Sequence, residues 1–386
     1  MNNFDFYNPT QILFGQGQIA ALSKLVPAGA RVLMLYGGGS IKQNGVYEQV
    51  LRALEGHTVL EFSGIEPNPT YETLMRAVEQ VKAEQIDFLL AVGGGSVIDG
   101  TKFIAAAAKY EGGDPWEILS IGGKVVQSAL PFGSVLTLPA TGSEMNSASV
   151  VTRAATLEKF AFMSRQVYPK FSILDPQVTY SLPPRQVGNG VVDAFVHVME
   201  QYMTYPADAV VQDRFAEGLL LSLIEEGPKA LSQPNDYAVR ANVMWTATLA
   251  LNGLIGVGVP QDWATHMVGH ELTALYNLDH AHTLAVVLPG MLRARKESKR
   301  AKLLQYAERV WGLTLGTEDI RIEAAINSTQ SFFEQMGVKT RLSDYGLNKD
   351  AVEAVVAALV KHNMTALGEH QDVDAATSRA VLELCL

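Results

Sequence analysis

The sequence predicts an α/β protein in which an N-terminal, Rossmann-like parallel-sheet domain precedes a C-terminal all-helical domain. Up to about residue 180, short apolar runs of β-type residues alternate with helical patterns. Several of these runs end in glycine or another small-residue turn, as buried parallel strands do where a helix follows. From about Ser181 the apolar residues recur at helical spacing, and almost no alternating strand pattern appears after Ile173.

The predicted strands of the N-terminal domain are continuous apolar runs of the length expected for buried strands. They are RVLMLY at 31–36, TVLEF at 58–62, FLLAV at 88–92 and SVLTLP at 134–139. Helical patterns follow several of them, which favours crossover helices between parallel strands. We predict the domain boundary near Asp175-Pro176, so the two domains are residues 1–180 and 181–386.

The C-terminal domain is predicted to be helical from its first segment. LPPRQVGNGVVDAFVHVMEQYMT (182–204) has helical spacing after a Pro-Pro pair, and proline is well tolerated in the first turn of a helix. Three later segments have the same period. They are DRFAEGLLLSLIEEGPKAL (213–231), VRANVMWTATLALNGL (239–254) and SKRAKLLQYAERVWGL (298–313).

Composition limits the possible classes of function. The 386-residue chain has a formal net charge of -10 and no basic run, which disfavours nucleic acid and membrane surfaces as partners. The N-terminus lacks the pattern of a signal peptide, and no apolar run has the length of a membrane span. Cys385 is the single cysteine, so an intrachain disulfide and a cysteine metal site are excluded. We expect a cytoplasmic protein.

Three glycine-containing turns follow predicted strands. They are YGGGS (36–40), VGGGSVIDG (92–100) and LPATGSE (138–144). In the second, a helix predicted to begin at about Ser96 would expose backbone N–H groups suited to a pyrophosphate. Neither GGG is the GxGxxG fingerprint, and one such turn alone equally fits a tight strand-to-helix connection. Their repetition at successive strand ends favours a nucleotide, because ligands of open α/β sheets bind beyond the strand carboxyl ends.

The first turn indicates which nucleotide is bound. NAD enzymes often place a carboxylate after a strand to hold the adenosine ribose 2′-hydroxyl. Here Gly37, Gly38, Gly39 and Ser40 occupy that place, with Lys42 close behind. A turn without an acid tolerates a 2′-phosphate, so we expect NADP(H) to be the cofactor.

Several histidines and one aspartate are candidates for a metal site. Asp193 and His197 lie four residues apart on an apolar predicted helix, where a charged Asp is costly unless it is paired. A divalent cation would satisfy it, although for this pair alone a buried Asp–His hydrogen bond is the simpler interpretation. His266 and His270 are also four apart, but Glu271 follows the second histidine, so the motif is not the HExxH of zinc proteases.

Two more histidines, His280 and His282, are predicted at the start of the next helix. One Asp and three of the five histidines would make a reasonable catalytic metal site, and spacing alone does not say which three. His57, His362 and His370 lie in polar or loop-like contexts and are predicted to be surface residues.

These motifs in this order resemble the iron-containing (group III) alcohol dehydrogenase family, in particular its butanol dehydrogenase branch and the NADPH-dependent, broad-specificity aldehyde reductases. The resemblance spans nearly the whole chain. It implies the dehydroquinate synthase-like architecture of that family, with dinucleotide binding in residues 1–180 and metal and substrate binding in 181–386. The motifs that carry it are Gly93-Gly94-Gly95-Ser96 with Asp99, Thr141-Gly142-Ser143-Glu144, Asp193/His197, His266/His270 and His280.

The resemblance assigns the histidines. It implies that Asp193, His197, His266 and His280 hold the metal, Fe2+ or Zn2+. His270 matches a histidine beside the nicotinamide that is not a ligand, and we take it as a catalytic residue. His282 matches no family role. Many members have glycine where this chain has Ala281, and a small alanine should leave metal binding intact.

The resemblance also assigns the cofactor contacts. Asp99 is additionally a candidate catalytic residue, because of its place in GGGSxxD. Gly38, Gly39 and Ser40 are implied to face the 2′-phosphate, with Lys159 adding positive charge. The other implied contacts of the dinucleotide are Asn68, Gly94, Gly95, Ser96, Asp99, Thr137, Thr141 and Asn146.

The implied reaction is reversible hydride transfer between NADP(H) and short-chain aldehydes or primary alcohols such as butanal and butanol. The expected partners are therefore this small-molecule substrate and, by resemblance, a second copy of the chain in a homodimer. The main alternative is an NAD-linked, glycerol-dehydrogenase-like polyol oxidoreductase. A metal-dependent hydrolase is a further alternative, but it does not explain three glycine turns after strands. A non-catalytic binding module is another, and strong metal retention without NADPH turnover would indicate it.

Overall fold

The computed structural model describes residues 1–386, which form two compact units. The sheet unit comprises Tyr7–Leu182 and Pro234–Thr248. The helical unit comprises Met1–Phe6, Pro183–Gln233 and Leu249–Leu386. None of the helices combines the length and the apolar composition needed to span a bilayer.

The sheet unit is built on a six-stranded sheet in which every pair of neighbouring strands is parallel, as predicted. Its order is β1-β8-β5-β4-β2-β3, and β6 and β7 form a separate antiparallel hairpin. The strands are β1 Gln11–Phe14, β2 Arg31–Tyr36, β3 Thr58–Phe62, β4 Phe88–Gly94, β5 Phe132–Leu138, β6 Ala148–Arg153, β7 Glu158–Met163 and β8 Phe171–Leu174.

Helices cover both faces of this sheet, which explains why its central strands are apolar throughout. Alternate residues of the strands belong to two separate hydrophobic clusters, one on each face. Leu33, Leu35, Leu89 and Ala91 belong to one cluster. Val32, Met34, Leu90 and Val92 belong to the other. The helices up to residue 182 are α1 Leu22–Leu25, α2 Val46–Ala53, α3 Tyr71–Ala83, α4 Gly95–Ala107 and α5 Glu117–Ser120.

The chain after Leu182 contains helices and no strand of either sheet, as the sequence predicts. α6 begins directly after Pro183, at the predicted Pro-Pro pair, and α10 begins at His280. Within the helical unit α10 packs against both α6 and α9. The helices are α6 Pro184–Tyr202, α7 Val210–Ser232, α8 Tyr237–Ala250, α9 Ala264–Tyr276, α10 His280–Ala294, α11 Arg300–Arg309, α12 Glu318–Gln335, α13 Lys349–Lys361 and α14 Ala375–Glu383.

The sheet order brings the three glycine turns to the same edge of the sheet. β4 lies between β2 and β5, with Tyr36 opposite Val92 and Gly94 opposite Leu138. The turns that follow these three neighbouring strands therefore meet at their carboxyl ends, where open α/β sheets bind ligands.

Candidate metal centre and nucleotide-binding turns

Four potential metal ligands converge in the helical unit from three helices. Asp193 and His197 lie one turn apart on α6, His266 lies in the first turn of α9, and His280 is the first residue of α10. One potential ligand atom from each residue lies within 4.8 Å of those of the other three. The packing of α10 on α6 and α9 thus assembles the site from residues far apart in sequence.

The distances and the donor set fit one divalent cation. His197 Nε2 lies 3.5 Å and His280 Nε2 3.6 Å from Asp193 Oδ1, and tetrahedral ligands about 2 Å from a cation lie roughly 3.4 Å apart. The rings of His197 and His266 are stacked, with their centroids 4.8 Å apart. One carboxylate and three imidazoles suit Fe2+ or Zn2+. Convergence of three histidines on one Asp favours a metal over a simple Asp–His hydrogen bond.

The two other candidate histidines of this segment differ in position. The ring centroid of His270 is 5.7 Å from that of His280 and 6.3 Å from that of His266, so His270 borders the cluster. His282 lies beside Tyr345, with ring centroids 5.1 Å apart, and its Nε2 is 3.8 Å from Asp279. The structure therefore groups His270, and not His282, with the potential ligands.

The prediction that His362 is a surface residue is wrong. Its side chain is only 5% exposed, and its Nδ1 lies 2.7 Å from Glu271 Oε1. The polar context of the sequence was misleading because the partner carboxylate comes from another helix. His370 is exposed, as predicted, and His57 is half-buried.

In the second glycine turn, close packing accounts for two of the glycines. A Cβ on Gly93 would lie 2.5 Å from a methyl carbon of Val97, and one on Gly95 would lie 2.3 Å from Thr141 Oγ1. The second and third turns are therefore in direct contact at Gly95 and Thr141. α4 begins at Gly95, with Ser96 in its first turn, so its first N–H groups lie at this edge of the sheet.

The first glycine turn is more open. Gly39 has φ 93°, a conformation that favours glycine. Gly38 has no such φ, and a Cβ there would meet no protein atom within 4 Å. Both Gly38 and Ser40 are exposed. Because the protein's own packing does not require glycine at 38, the open space there suits a ligand.

Asn68 and Lys159, both predicted to contact the cofactor, contact each other. Lys159 Nζ on β7 donates to Asn68 Oδ1 at 2.8 Å. Lys159 is buried, with only 6% of its surface exposed. Asn68 has φ 56°, a left-handed conformation that asparagine adopts more readily than most residues. Thr137, also predicted to contact the cofactor, lies in β5 and is half-buried.

Asp99 and Asn146 belong to a buried network centred on a residue that the sequence reasoning missed, Lys102. Lys102 is fully buried, and its Nζ donates to Ser143 Oγ, Asn146 Oδ1 and Ala148 O at 2.7–2.8 Å. Ser143 Oγ in turn donates to Asp99 Oδ1 at 2.6 Å. Burial lowers the pKa of Lys102 to about 8. A lysine within the apolar stretch TKFIAAAA was the signal that could have revealed it.

The environment of Asp99 indicates a supporting role more than a catalytic one. Its second carboxylate oxygen accepts from the backbone N–H of Val150 at 3.0 Å, so both oxygens are engaged by the protein. Burial raises the pKa of Asp99, while the nearby Lys102 ammonium opposes that shift. Asp99 thereby connects α4 to the third turn and to the β6–β7 hairpin.

Comparisons with known proteins agree with this geometry. Residues 9–176 match the family described as iron-containing alcohol dehydrogenase, and 188–384 match the C-terminal part of the Fe-containing alcohol dehydrogenase family. The chain is 63% identical over 384 residues to the NADPH-dependent aldehyde reductase YqhD of Escherichia coli (strain K12), covering 99% of each chain. It is 44% identical over 361 residues to the probable NADH-dependent butanol dehydrogenase 1 of Bacillus subtilis (strain 168), covering 92% of each.

A solved structure gives the same result for the fold. The crystal structure of YqhD from E. coli K-12 matches with a TM-score of 0.99 and 62% identity, covering 100% of this chain and 99% of that chain. The predicted architecture, an N-terminal parallel-sheet part followed by a helical part, is confirmed.

Proposed function

The chain belongs to the iron-containing alcohol dehydrogenase family, and on that premise we propose that it reduces short-chain aldehydes such as butanal with NADPH. The observation that carries the proposal is the convergence of Asp193, His197, His266 and His280 in the helical unit. A hydrolase would have to use the same four residues, but family membership favours the dehydrogenase.

The overall reaction is aldehyde plus NADPH plus a proton giving primary alcohol plus NADP+, and it is reversible. When bound, the cation supplies Lewis-acid polarisation of the aldehyde oxygen and NADPH supplies the hydride. Asp193, His197, His266 and His280 would hold the cation.

His270 is the proposed source of the proton that reaches the substrate oxygen. Its ring borders the ligand cluster without belonging to it, and an imidazole titrates near neutral pH. His270→Ala is expected to lower the rate of aldehyde reduction and to change its dependence on pH. An unchanged rate and pH profile would remove His270 from the mechanism.

The glycine turns of the sheet unit are the proposed site of the dinucleotide. The N–H groups of Gly95 and Ser96 at the start of α4 suit the pyrophosphate. Gly38, Gly39 and Ser40 form a turn without a carboxylate, which accommodates a 2′-phosphate. The high identity to an NADPH-dependent reductase supports this choice, whereas a relative at 44% identity is named as NADH-dependent.

We also propose a cytoplasmic homodimer. The dimer rests on the family resemblance and on an open strand edge: β1 lies at the end of the sheet, and Phe14 on it is exposed beside the exposed Trp245. An unpaired strand edge with apolar side chains favours association. Light scattering coupled to gel filtration measures the mass, and a monomer at micromolar concentration would contradict the proposal.

The decisive experiment follows consumption of NADPH with butanal, beside NADH, before and after chelation and with each metal added back. We expect NADPH consumption that is lost with the chelator and restored by one divalent metal. Equal or better use of NADH would overturn the argument from the first turn. Absence of turnover with both cofactors, in protein shown to hold its metal, would overturn the proposed activity.

A further inference from the structure

Glu200 lies directly behind the potential metal ligand His266. It follows His197 by three residues on α6, and its side chain is 3% exposed. Its Oε2 forms a hydrogen bond with Nδ1 of His266, and its Oε1 accepts from the backbone N–H of Thr265 at 2.6 Å. When Nδ1 carries the proton and donates to a carboxylate, the lone pair of the imidazole is on Nε2.

Asp262 holds Glu200 and the start of α9 together. Its backbone N–H donates to the carbonyl oxygen of Glu200 at 2.9 Å. Its Oδ1 accepts from the backbone N–H of Ala264, the first residue of α9, at 3.0 Å. Since His266 lies in the first turn of α9, these bonds set the position of its backbone as well as that of the Glu200 carboxylate.

A buried lysine completes this support. Lys299, with a side chain 1% exposed, lies 2.7 Å from Asp262 Oδ2 and 2.7 Å from Glu369 Oε1. It also donates to the carbonyl oxygen of Met203, just after α6, at 2.7 Å. The ammonium thus connects the end of α6, the start of α9 and the segment before α14.

We propose that Glu200 is a positioning residue for the metal, acting through His266, and that Asp262 and Lys299 hold it in place. The inference rests on the proposed metal site. By accepting from Nδ1, Glu200 selects the tautomer of His266 that presents Nε2 to the cation and fixes the plane of its ring. Carboxylates that bond to ligating histidines in this way also increase the basicity of the ligand.

The test compares Glu200→Gln with Glu217→Gln. Glutamine keeps the size of Glu200, but an NH2 group replaces one of the two carboxylate oxygens. That NH2 group would face the N–H donor of either His266 or Thr265, so one hydrogen bond would be lost. Glu217 is an equally buried carboxylate of the same unit, bonded to Tyr202, Arg214 and Arg309. Its substitution therefore controls for loss of a buried carboxylate remote from the ligands.

The measurement is the affinity for Zn2+ and Co2+ by chelator competition, with the Co2+ absorption spectrum as a report on ligand geometry. We expect E200Q to bind roughly 10- to 100-fold more weakly than the unmodified protein, with an altered Co2+ spectrum. E217Q should retain both the affinity and the spectrum. Unmodified affinity and spectrum in E200Q, or an equal loss in both variants, would overturn the proposal.

Glu200→Asp tests the same bond with the charge retained and the reach shortened, and it serves if E200Q does not fold. We expect a loss of affinity in the same direction, and unmodified affinity in E200D would then overturn the role of Glu200. If the unmodified protein itself binds neither Zn2+ nor Co2+, the proposed metal site fails instead. The two failures are therefore distinguishable.

Discussion

The helical unit and the sheet unit each enclose a buried lysine, but the two lysines have different partners. Lys299 in the helical unit contacts two carboxylates, Asp262 and Glu369. Lys102 in the sheet unit donates to a hydroxyl, an amide oxygen and a carbonyl, and it reaches Asp99 through the hydroxyl of Ser143. The region around Lys299 therefore depends mainly on charge balance, whereas that around Lys102 depends mainly on hydrogen-bond geometry, with the Asp99 charge one hydroxyl away from the ammonium.

The difference extends to the need for an added cation. Besides the two carboxylates at Lys299, the helical unit buries Asp193, which is one of the four potential ligands, and Glu200, which bonds to the potential ligand His266. Burial raises the pKa of both Glu200 and Glu369, while the Lys299 ammonium opposes that shift at Glu369. A divalent cation at the four potential ligands would favour the ionised form of Glu200, which bonds to His266. The metal is thus expected to stabilise the helical unit as well as to serve the reaction.

The largest expected effect comes from Asp193→Asn, which removes the carboxylate from the proposed ligand set. Loss of Lewis-acid stabilisation worth several kcal/mol should lower kcat for butanal reduction by roughly a thousandfold. Metal content per chain should fall in parallel. Asp213→Asn is the control, because Asp213 pairs with Lys302 in the same unit and is not one of the four potential ligands. A D193N protein that kept its metal and its rate would refute the importance of charge in this region.

The second prediction compares the lysines directly. Lys299→Met leaves two buried carboxylates without their cation, and breaking a buried pair in this way costs about 3–5 kcal/mol of unfolding free energy. Lys102→Met leaves three neutral acceptors without a donor and removes the cation nearest to the buried Asp99. Because no carboxylate bonds directly to Lys102 Nζ, we expect a smaller cost, about 1–3 kcal/mol. Urea unfolding of the metal-loaded variants measures both. If K102M were as destabilised as K299M, the distinction between charge balance and hydrogen-bond geometry would be lost.

The sequence predicts the sheet better than the site. A strand is formed by residues that are adjacent in sequence, whereas the site joins residues that are far apart in sequence. β2 and β3 have the predicted bounds, since each is a short segment made mostly of apolar residues. The β6–β7 hairpin was missed because its strands mix polar with apolar residues. β1, at the edge of the sheet, has only four residues.

Local spacing could place Asp193 and His197 on one helical face, but it could not select His280. That choice came from the family resemblance, and in the structure it depends on how α10 packs on α6 and α9. Lys102 was missed because its partners lie more than 40 positions away. Glu200 was missed for the same reason, since its bond to His266 spans 66 positions.

The third prediction concerns the first glycine turn, YGGGS at 36–40, which contains no carboxylate. Gly38→Asp places a carboxylate in the open space of the first turn, where it should repel a 2′-phosphate. The expected result is a fall of roughly 10- to 100-fold in kcat/KM for NADPH, with kcat/KM for NADH much less affected. Gly38→Asn has nearly the same shape without the charge, so it should retain most NADPH use. Equal losses in both variants would indicate that shape, and not charge, governs this turn.

The smallest expected effect is a pH dependence that belongs to Lys102 alone. Burial lowers its pKa from the ordinary value of 10.5 to about 8. Between these values the unfolded chain binds more protons than the folded one, so the free energy of unfolding should rise with pH relative to K102M. Over the same range a neutral Lys102 amine has two N–H donors for its three acceptors, so one acceptor loses its hydrogen bond. Because Asn146, a predicted cofactor contact, is one of these acceptors, we expect the affinity for NADPH to weaken.

These opposite trends make the measurement specific. Urea unfolding and fluorescence titration with NADPH, both between pH 7.5 and about 10, compare the unmodified protein with K102M. General alkaline destabilisation would move stability and affinity in the same direction in both proteins. A buried amine that loses its proton in the folded state has a distinct result. Only the protein that contains Lys102 should then gain stability relative to K102M while it loses affinity for NADPH. If both curves run parallel to those of K102M, Lys102 remains protonated throughout and its partners stabilise the ammonium more strongly than neutral acceptors usually do.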